Sequence, residues 1–269
     1  MSEFFIELFS EEIPANLQNK TRQDFFQNLK EFLEKEDIKY SGEATAFSIP
    51  NRLIVYFQNI SKKITKKENE IRGPNINAPE DALNGFLKSY KISIDKTYKK
   101  KTDKGEFYFF KKPSESIETK FVLQKNLPKI LDKTSWKKSM RWADHELYWG
   151  RPLKSILCCF DNKTLEFEYH HLVSSNITFI DKDFEQKTKK FVRFKDYLAF
   201  FRSQNIILDN KKREQFIVDQ LNRIAKKENL KIHFNSTLLN EVTNIVEKPN
   251  IIKCRFNKRF LEIPDDILV

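Results

Sequence analysis

The chain has 269 residues, 39% of them apolar and 25 of them Phe, which is enough for a packed core in one large or two modest domains and too aromatic for a disordered chain despite 32% charged residues. Its 49 Lys and Arg against 38 Asp and Glu leave a net charge of +11, which suits a polyanionic partner. The same Lys-, Asn-, Ile- and Phe-rich bias, with only five Gly, also fits an AT-rich genome, so a solvated basic surface is the competing reading.

Taken in chain order, Phe4 to Phe9 reads as a buried strand. Ser10-Glu11-Glu12-Ile13-Pro14 then opens a helix, with Ser10 as N-cap and acids at the positive end of the dipole. Phe25, Leu29, Phe32 and Leu33 fall on one face of that helix. Residues 44–50 and 52–60 read as two strands, and Arg72-Gly73-Pro74-Asn75 as a turn. Pro79 starts a helix with Ala82, Leu83, Phe86, Leu87 and Tyr90 on one side. A lysine-rich stretch over 96–112 carries a turn at Asp103-Lys104-Gly105 and an aromatic strand from Glu106 to Phe110. Helix is expected over 117–133, kinked or split at Pro128.

Residues 153–160 read as a buried strand, Asp161-Asn162 as a turn, and Leu165, Phe167 and Tyr169 as the alternating second arm of a hairpin. Residues 181–195 are polar and basic and read as a linker between a lobe at 1–180 and a second at 190–269. The second lobe is expected to hold a short helix at 197–201 and a strand at 206–208. A long helix capped by Asp209 or Asn210 follows, then a helix capped by Ser236, strands at 251–256 and 260–263, and a helix starting at Pro264. Interspersed helices and hairpins give an α+β (mixed α/β) class with packed helices and mixed or antiparallel sheets.

Cys158, Cys159 and Cys254 fit neither a disulfide framework nor a zinc spacing, and the acidic start and lack of a long apolar run argue against a signal peptide or membrane span. A cytoplasmic chain without a membrane partner is therefore expected. No phosphate-binding glycine loop, dinucleotide fingerprint or HExxH occurs. Glu11 and Glu12 diverge by about 100° on a helix, so they are poor partners in one catalytic site. No residue is assigned as catalytic or metal-ligating. The densest stretch is 136–151, with Trp136, Lys137, Lys138, Met140, Arg141, Trp142, Trp149 and Arg151. Its tryptophans read first as a packed cluster and second as stacking platforms for bases. Lys137 and Lys138 read equally as solvated charge or phosphate contacts.

The order of short motifs goes further. Ile6-Glu7-Leu8-Phe9-Ser10-Glu11-Glu12-Ile13-Pro14, Pro50-Asn51-Arg52-Leu53, Arg72-Gly73-Pro74, Ala82-Leu83-Asn84-Gly85-Phe86, Lys138-Ser139-Met140-Arg141-Trp142, Arg151-Pro152 and Leu239-Asn240-Glu241-Val242-Thr243 through Val246-Glu247-Lys248-Pro249 stand in the same order in one family. Across nearly the whole chain they resemble the N-terminal portion of bacterial glycyl-tRNA synthetase beta subunits. Phe9 stands where that family has Gly, and 180–184 stands where it has Gly-His-Arg-Phe.

The resemblance implies a B3/B4-like α+β region in the beta subunit of an α2β2 glycine–tRNA ligase, with further domains beyond it. The alpha subunit would form glycyl-adenylate with ATP and Mg2+, and this chain would bind no cofactor itself. Its own part would be tRNA(Gly) binding and assembly. Candidate phosphate contacts are Arg52, Arg72, Lys137, Lys138, Arg141 and Arg151. Two alternatives are a free-standing tRNA-binding or B3/B4-like editing (aminoacyl-tRNA deacylase) module, and a purely architectural region.

Overall fold

The computed structural model describes residues 2–66, 69–180, 187–264 and 267. They divide into two compact units, Met1–Lys62 with Lys120–Val269, and Lys63–Thr119. The class is α+β, with antiparallel strand pairing throughout its sheets.

The first unit opens with β1 (Ser2–Ser10), which is buried along nearly its whole length because it is central in its sheet and covered on both faces. The chain then enters α1 (Ala15–Lys35). Ser10 does not cap this helix. The amides of Ser10, Glu11 and Ile13 go to the carbonyls of Asn51, Pro152 and Pro50, and the helix begins after Pro14 with no side-chain cap. Tertiary contacts here satisfy the backbone that a local cap would have served. Phe25, Leu29 and Leu33 are buried on the inner face of α1 as the periodicity predicts. β2 (Ala44–Ile49) and β3 (Arg52–Ile60) form a hairpin beside β1, with Ile6 opposite Val55 and Leu8 opposite Leu53. Phe26 on α1 stacks on Phe57 of β3 at 5.5 Å, which places α1 on that face of the sheet.

The second unit contains β4 (Lys63–Lys66), β5 (Asn69–Asn75), α2 (Glu80–Tyr90), β6 (Thr97–Thr102), β7 (Gly105–Lys112) and β8 (Glu115–Glu118). β5, β7 and β6 make a three-stranded antiparallel sheet, and β4 pairs with β8. The expected turn at 72–75 is the end of β5, where the register with β7 shifts between Arg72 and Asn75. Gly73 lies under α2, and a Cβ there would meet the Phe86 ring at 2.9 Å. The apolar stripe of α2 is only partly covered: Leu83, Phe86 and Leu87 are half-buried, no residue of the helix is fully buried, and Tyr90 is 43% exposed.

The chain returns to the first unit in α3 (Thr119–Asp132), a single helix that carries Pro128 internally and buries Leu123, Leu127 and Leu131. Two short strands, β9 (Met140–Arg141) and β10 (Tyr148–Trp149), pair with each other. β11 (Leu153–Phe160) adds to the other edge of β1, and β12 (Lys163–Thr164) follows, so the main sheet runs β12-β11-β1-β3-β2. Asp161 and Asn162 both have positive φ, the backbone that a two-residue hairpin needs. The second arm stops at Thr164. Leu165, Phe167 and Tyr169 lie beyond it and are buried individually, and Tyr169 sits in a separate pair, β13 (Glu168–Tyr169) with β14 (Leu172–Val173).

β15 (Ile177–Phe179) pairs with β16 (Thr188–Lys190) across the expected linker. Residues 181–186, including most of the segment that departs from the family pattern, lie outside the described residues. In the described remainder β16 is paired but exposed, and Phe191 and Phe194 join the core. The two compact units meet in sequence at 62/63 and 119/120. α4 (Phe194–Ser203) lays Phe194, Tyr197 and Phe201 against Phe5, Ile54, Tyr56 and Leu157 on the face of the sheet away from α1. α5 (Asn210–Glu228) is capped by Asp209, whose carboxylate accepts from Lys211 and Lys212. α6 (Ser236–Ile245) is capped by Asn235 and not by Ser236, one residue later than the cap.

Residues 206–208 form no strand. The Ile206 and Ile207 amides donate to Phe201 and Glu247, and the carbonyls of Ile207 and Leu208 accept from Arg213. Residues 251–256 are likewise unpaired, and 258–262 is a 3-10 turn capped by Asn257. The helix expected at Pro264 lies largely outside the described residues. No helix among the described residues is long and apolar enough to cross a membrane.

Candidate nucleic-acid interface

The six candidate cations occupy three different environments. Four of them, Lys137, Lys138, Arg141 and Arg151, belong to the 136–151 segment of the first unit. Trp149 anchors this segment. It is 2% exposed and packs edge-on to Trp136 at 5.1 Å and to Tyr169 at 6.2 Å. The Trp142 indole N–H donates to the Trp149 carbonyl at 2.9 Å. Gly150 is required by the same packing, because a Cβ there would lie 2.1 Å from the Trp136 ring. Trp136, Trp149 and Tyr169 thus form a small satellite core, to which half-buried Trp142 is tied by its indole N–H.

What this core presents is a short exposed ribbon. Lys137, Lys138, Met140 and Arg141 are exposed, and Arg141 sits opposite Tyr148, which is 65% exposed. Tyr148 is the aromatic that the sequence reading passed over. Its signal was its place beside Trp149, since adjacent strand residues face opposite ways and the larger apolar ring takes the inside. Asp144 and Glu146 are exposed in the same loop and offset part of its positive charge. Arg151 is half-buried, and its Nε donates to the Glu12 carbonyl at 3.1 Å, so it ties the loop to the start of α1.

Arg52 is no surface contact. It is 3% exposed, lies 3.7 Å from the fully buried Glu7 carboxylate, and donates to the Phe179 carbonyl at 2.5 Å. Its guanidinium is sandwiched between the rings of Phe9 and Phe201 at 4.4 and 5.1 Å. Glu7 in turn accepts from the hydroxyls of Thr178 and Tyr197. Burial first, and then the Glu7 charge, push the Tyr197 hydroxyl well above its ordinary range, so it stays a donor. This is a closed ion pair that joins β1, β3, β15 and α4, and a phosphate has no access to it.

Arg72 belongs to the second unit, where its exposed guanidinium lies over the Phe107 ring at 4.0 Å. On the same sheet face Tyr98 stacks on Phe109, and Lys100 and Tyr98 both bind the Glu70 carboxylate, at 2.5 and 2.6 Å. Hydrogen bonds from Lys100 and then Tyr98 hold Glu70 below the usual carboxylate range. Lys100 is therefore paired, whereas Lys99 and Lys101 in the same run are exposed.

Other reactive groups sit in structural positions. His145 and His171 stack in parallel at 3.5 Å, and burial, then His145 and His170, lower the His171 pKa. Cys158 and Cys159 are buried on opposite faces of β11. Burial, then Glu3, pushes the Cys159 thiol up to about 12, so neither acts as a ready nucleophile. Among the described residues no group of three or more His, Cys, Asp or Glu is placed to hold a metal ion.

Comparison with known proteins bears on what such a surface serves. Residues 4–269 match the model of a family described as glycyl-tRNA synthetase beta subunit. The chain is similar to the glycine–tRNA ligase beta subunits of Rickettsia prowazekii, 35% identical over 270 residues, and Rickettsia felis, 35% over 271. That of Rickettsia typhi is 34% identical over 269 residues. Each alignment covers 100% of this chain and 40% of the relative, so the chain spans about two-fifths of the length of the curated relatives it matches.

Proposed function

Since the chain belongs to the glycyl-tRNA synthetase beta-subunit family, we propose that it serves a cytoplasmic glycine–tRNA ligase by binding tRNA(Gly) and by joining an alpha subunit that carries the aminoacylation site. In this reading the assembly is α2β2, ATP and Mg2+ act at the alpha subunit, and this chain is noncatalytic.

The observation that carries the tRNA part is the exposed ribbon of Lys137, Lys138, Arg141 and Tyr148 on its tryptophan core. Cations at that spacing meet phosphates as diffuse charge, and an exposed tyrosine offers a face to a base or ribose. Arg52 drops out as a contact because it is enclosed, and Arg151 is assigned to holding the loop in place.

The test is kinetic. In the assembled enzyme, Arg141→Ala is expected to lower kcat/KM for tRNA about tenfold and leave glycine-dependent pyrophosphate exchange unchanged. Equal loss of both activities would mean that the ribbon supports the architecture of the enzyme and does not bind tRNA.

A further inference from the structure

The exposed ribbon is seated on the hairpin β13–β14 at two points. Trp149 packs edge-on to Tyr169 at 6.2 Å. His145, in the loop between β9 and β10, stacks on His171 with ring centroids 3.5 Å apart and planes 5° from parallel. Local turns aim both rings. Ala143 has φ +51°, and the His145 amide donates to the Trp142 carbonyl at 3.3 Å, which folds the loop back. His170, at φ +52°, and His171 are the two residues that close the hairpin between the paired Tyr169 and Leu172.

The hairpin is itself held. The Tyr169 hydroxyl bonds the Asp132 carboxylate at the end of α3, and His170 lies 3.8 Å from the same carboxylate. The His171 ring hydrogen-bonds to the Leu153 backbone at the start of β11. Residues 143–146, by contrast, are all exposed, so the histidine stack is what joins them to a fixed element.

We infer that His171 is a positioning residue for the ribbon: its stack with His145 holds the loop that presents Arg141 and Tyr148, and holds it only while at most one of the two rings is protonated. The inference rests on the reading of the ribbon as a tRNA surface. A stacked pair tolerates one proton, because a cation can lie on the face of a neutral ring. Two positive charges 3.5 Å apart repel. Burial, then the charges of His145 and His170, hold His171 below its ordinary range, against the Leu153 bond that favours the charged form. The folded chain therefore takes up that proton less readily than the unfolded one. The contact is at full strength above about pH 6.5 and is lost as pH falls below it. The other charged groups around the pair are His170 and Asp132, which face each other, and Asp144 and Glu146, which flank His145 in sequence. Lys154, next to Leu153, is paired with Glu11 at 2.5 Å.

The experiment is fluorescence anisotropy of labelled tRNA(Gly) with the full chain at about pH 7.5 and about pH 5.5, on either side of the histidine range. It is read beside the intrinsic emission of the chain, whose three tryptophans all lie in 136–149. Added positive charge by itself tightens binding to a polyanion. The positioning role predicts the opposite sign: at the lower pH the parent should bind about three- to tenfold more weakly, and its emission should shift to the red. His171→Phe keeps a ring that accepts a protonated His145 on its face, so it should bind like the parent at the higher pH and lose both responses. His171→Ala should bind about three- to tenfold more weakly at either pH. Tighter binding by the parent at the lower pH, or the same weakening in His171→Phe, overturns the inference. If the parent binds no tRNA(Gly) at either pH, the tRNA reading falls. A red shift confined to the parent would then still establish the pH-sensitive stack, and its absence overturns both.

Discussion

Arg52 and Arg141 are the same residue type in the same unit, each within a short family-like motif, and they do opposite things. Arg52 lies inside, against Glu7 and between two phenylalanines; Arg141 lies outside, opposite an exposed tyrosine. Arg213 extends the contrast. It is fully buried, and its guanidinium donates to the carbonyls of Thr243, Ile207, Leu208 and Ser48. Burial, then the neighbouring Arg22, pushes it down to about 10. A cation inside this protein is a fastener between segments distant in sequence, and only those outside are available to a polyanion. A net charge of +11 therefore overstates the charge that faces a partner.

The largest effect expected from breaking this contrast is in the buried set. Arg52→Ala leaves the Glu7 carboxylate buried without its cation and should cost about 3–5 kcal/mol in urea denaturation. Arg213→Lys should also be strongly destabilising, by about 2–3 kcal/mol, because one ammonium cannot reproduce a planar fork that serves four carbonyls. A loss under about 0.5 kcal/mol in either variant would mean that the site is open to water.

A smaller effect is expected at the base of the ribbon. Gly150→Ala drives a methyl into the Trp136 ring and should cost about 1–3 kcal/mol, read as a fall in Tm with weaker RNA binding because the ribbon shifts with its core. The exposed set should barely register in stability. Arg141→Ala is expected to stay within about 0.5 kcal/mol of the parent while reducing the salt slope of tRNA binding by roughly one contact. The mildest measurement is chemical. At pH 8 iodoacetamide should label the exposed Cys254 and spare Cys158 and Cys159 until the chain is unfolded, since burial keeps both as thiols. Early labelling of all three would contradict the buried β11.

The features legible in the sequence were those written in a short window. The helical periodicity of Phe25, Leu29 and Leu33, the Asp209 cap and the Asp161-Asn162 turn each depend on residues a few positions apart, and each stands in the structure. The packing of Trp136 on Trp149 is also legible, because large apolar rings so close in sequence bury against each other readily. The misreadings share the opposite property. Ser10 was a plausible cap until Asn51, Pro152 and Pro50 took the local amides, and 206–208 looked like a strand until Glu247 and Arg213 took its backbone groups. The insertion of a separate unit at Lys63–Thr119 is invisible to composition, since basic residues run through both units.

The sequence by itself determined the family, through the order of its motifs, and the α+β class, through hydrophobic periods that act within one helix or strand. Only the tertiary structure decided which cations are enclosed and which are presented. That depends on Glu7 meeting Arg52 across paired strands, on Thr178 and Tyr197 arriving from more than 170 positions along the chain, and on Tyr148 facing away from the tryptophan core. Desolvation and pairing act through space, and spacing along a chain does not encode them.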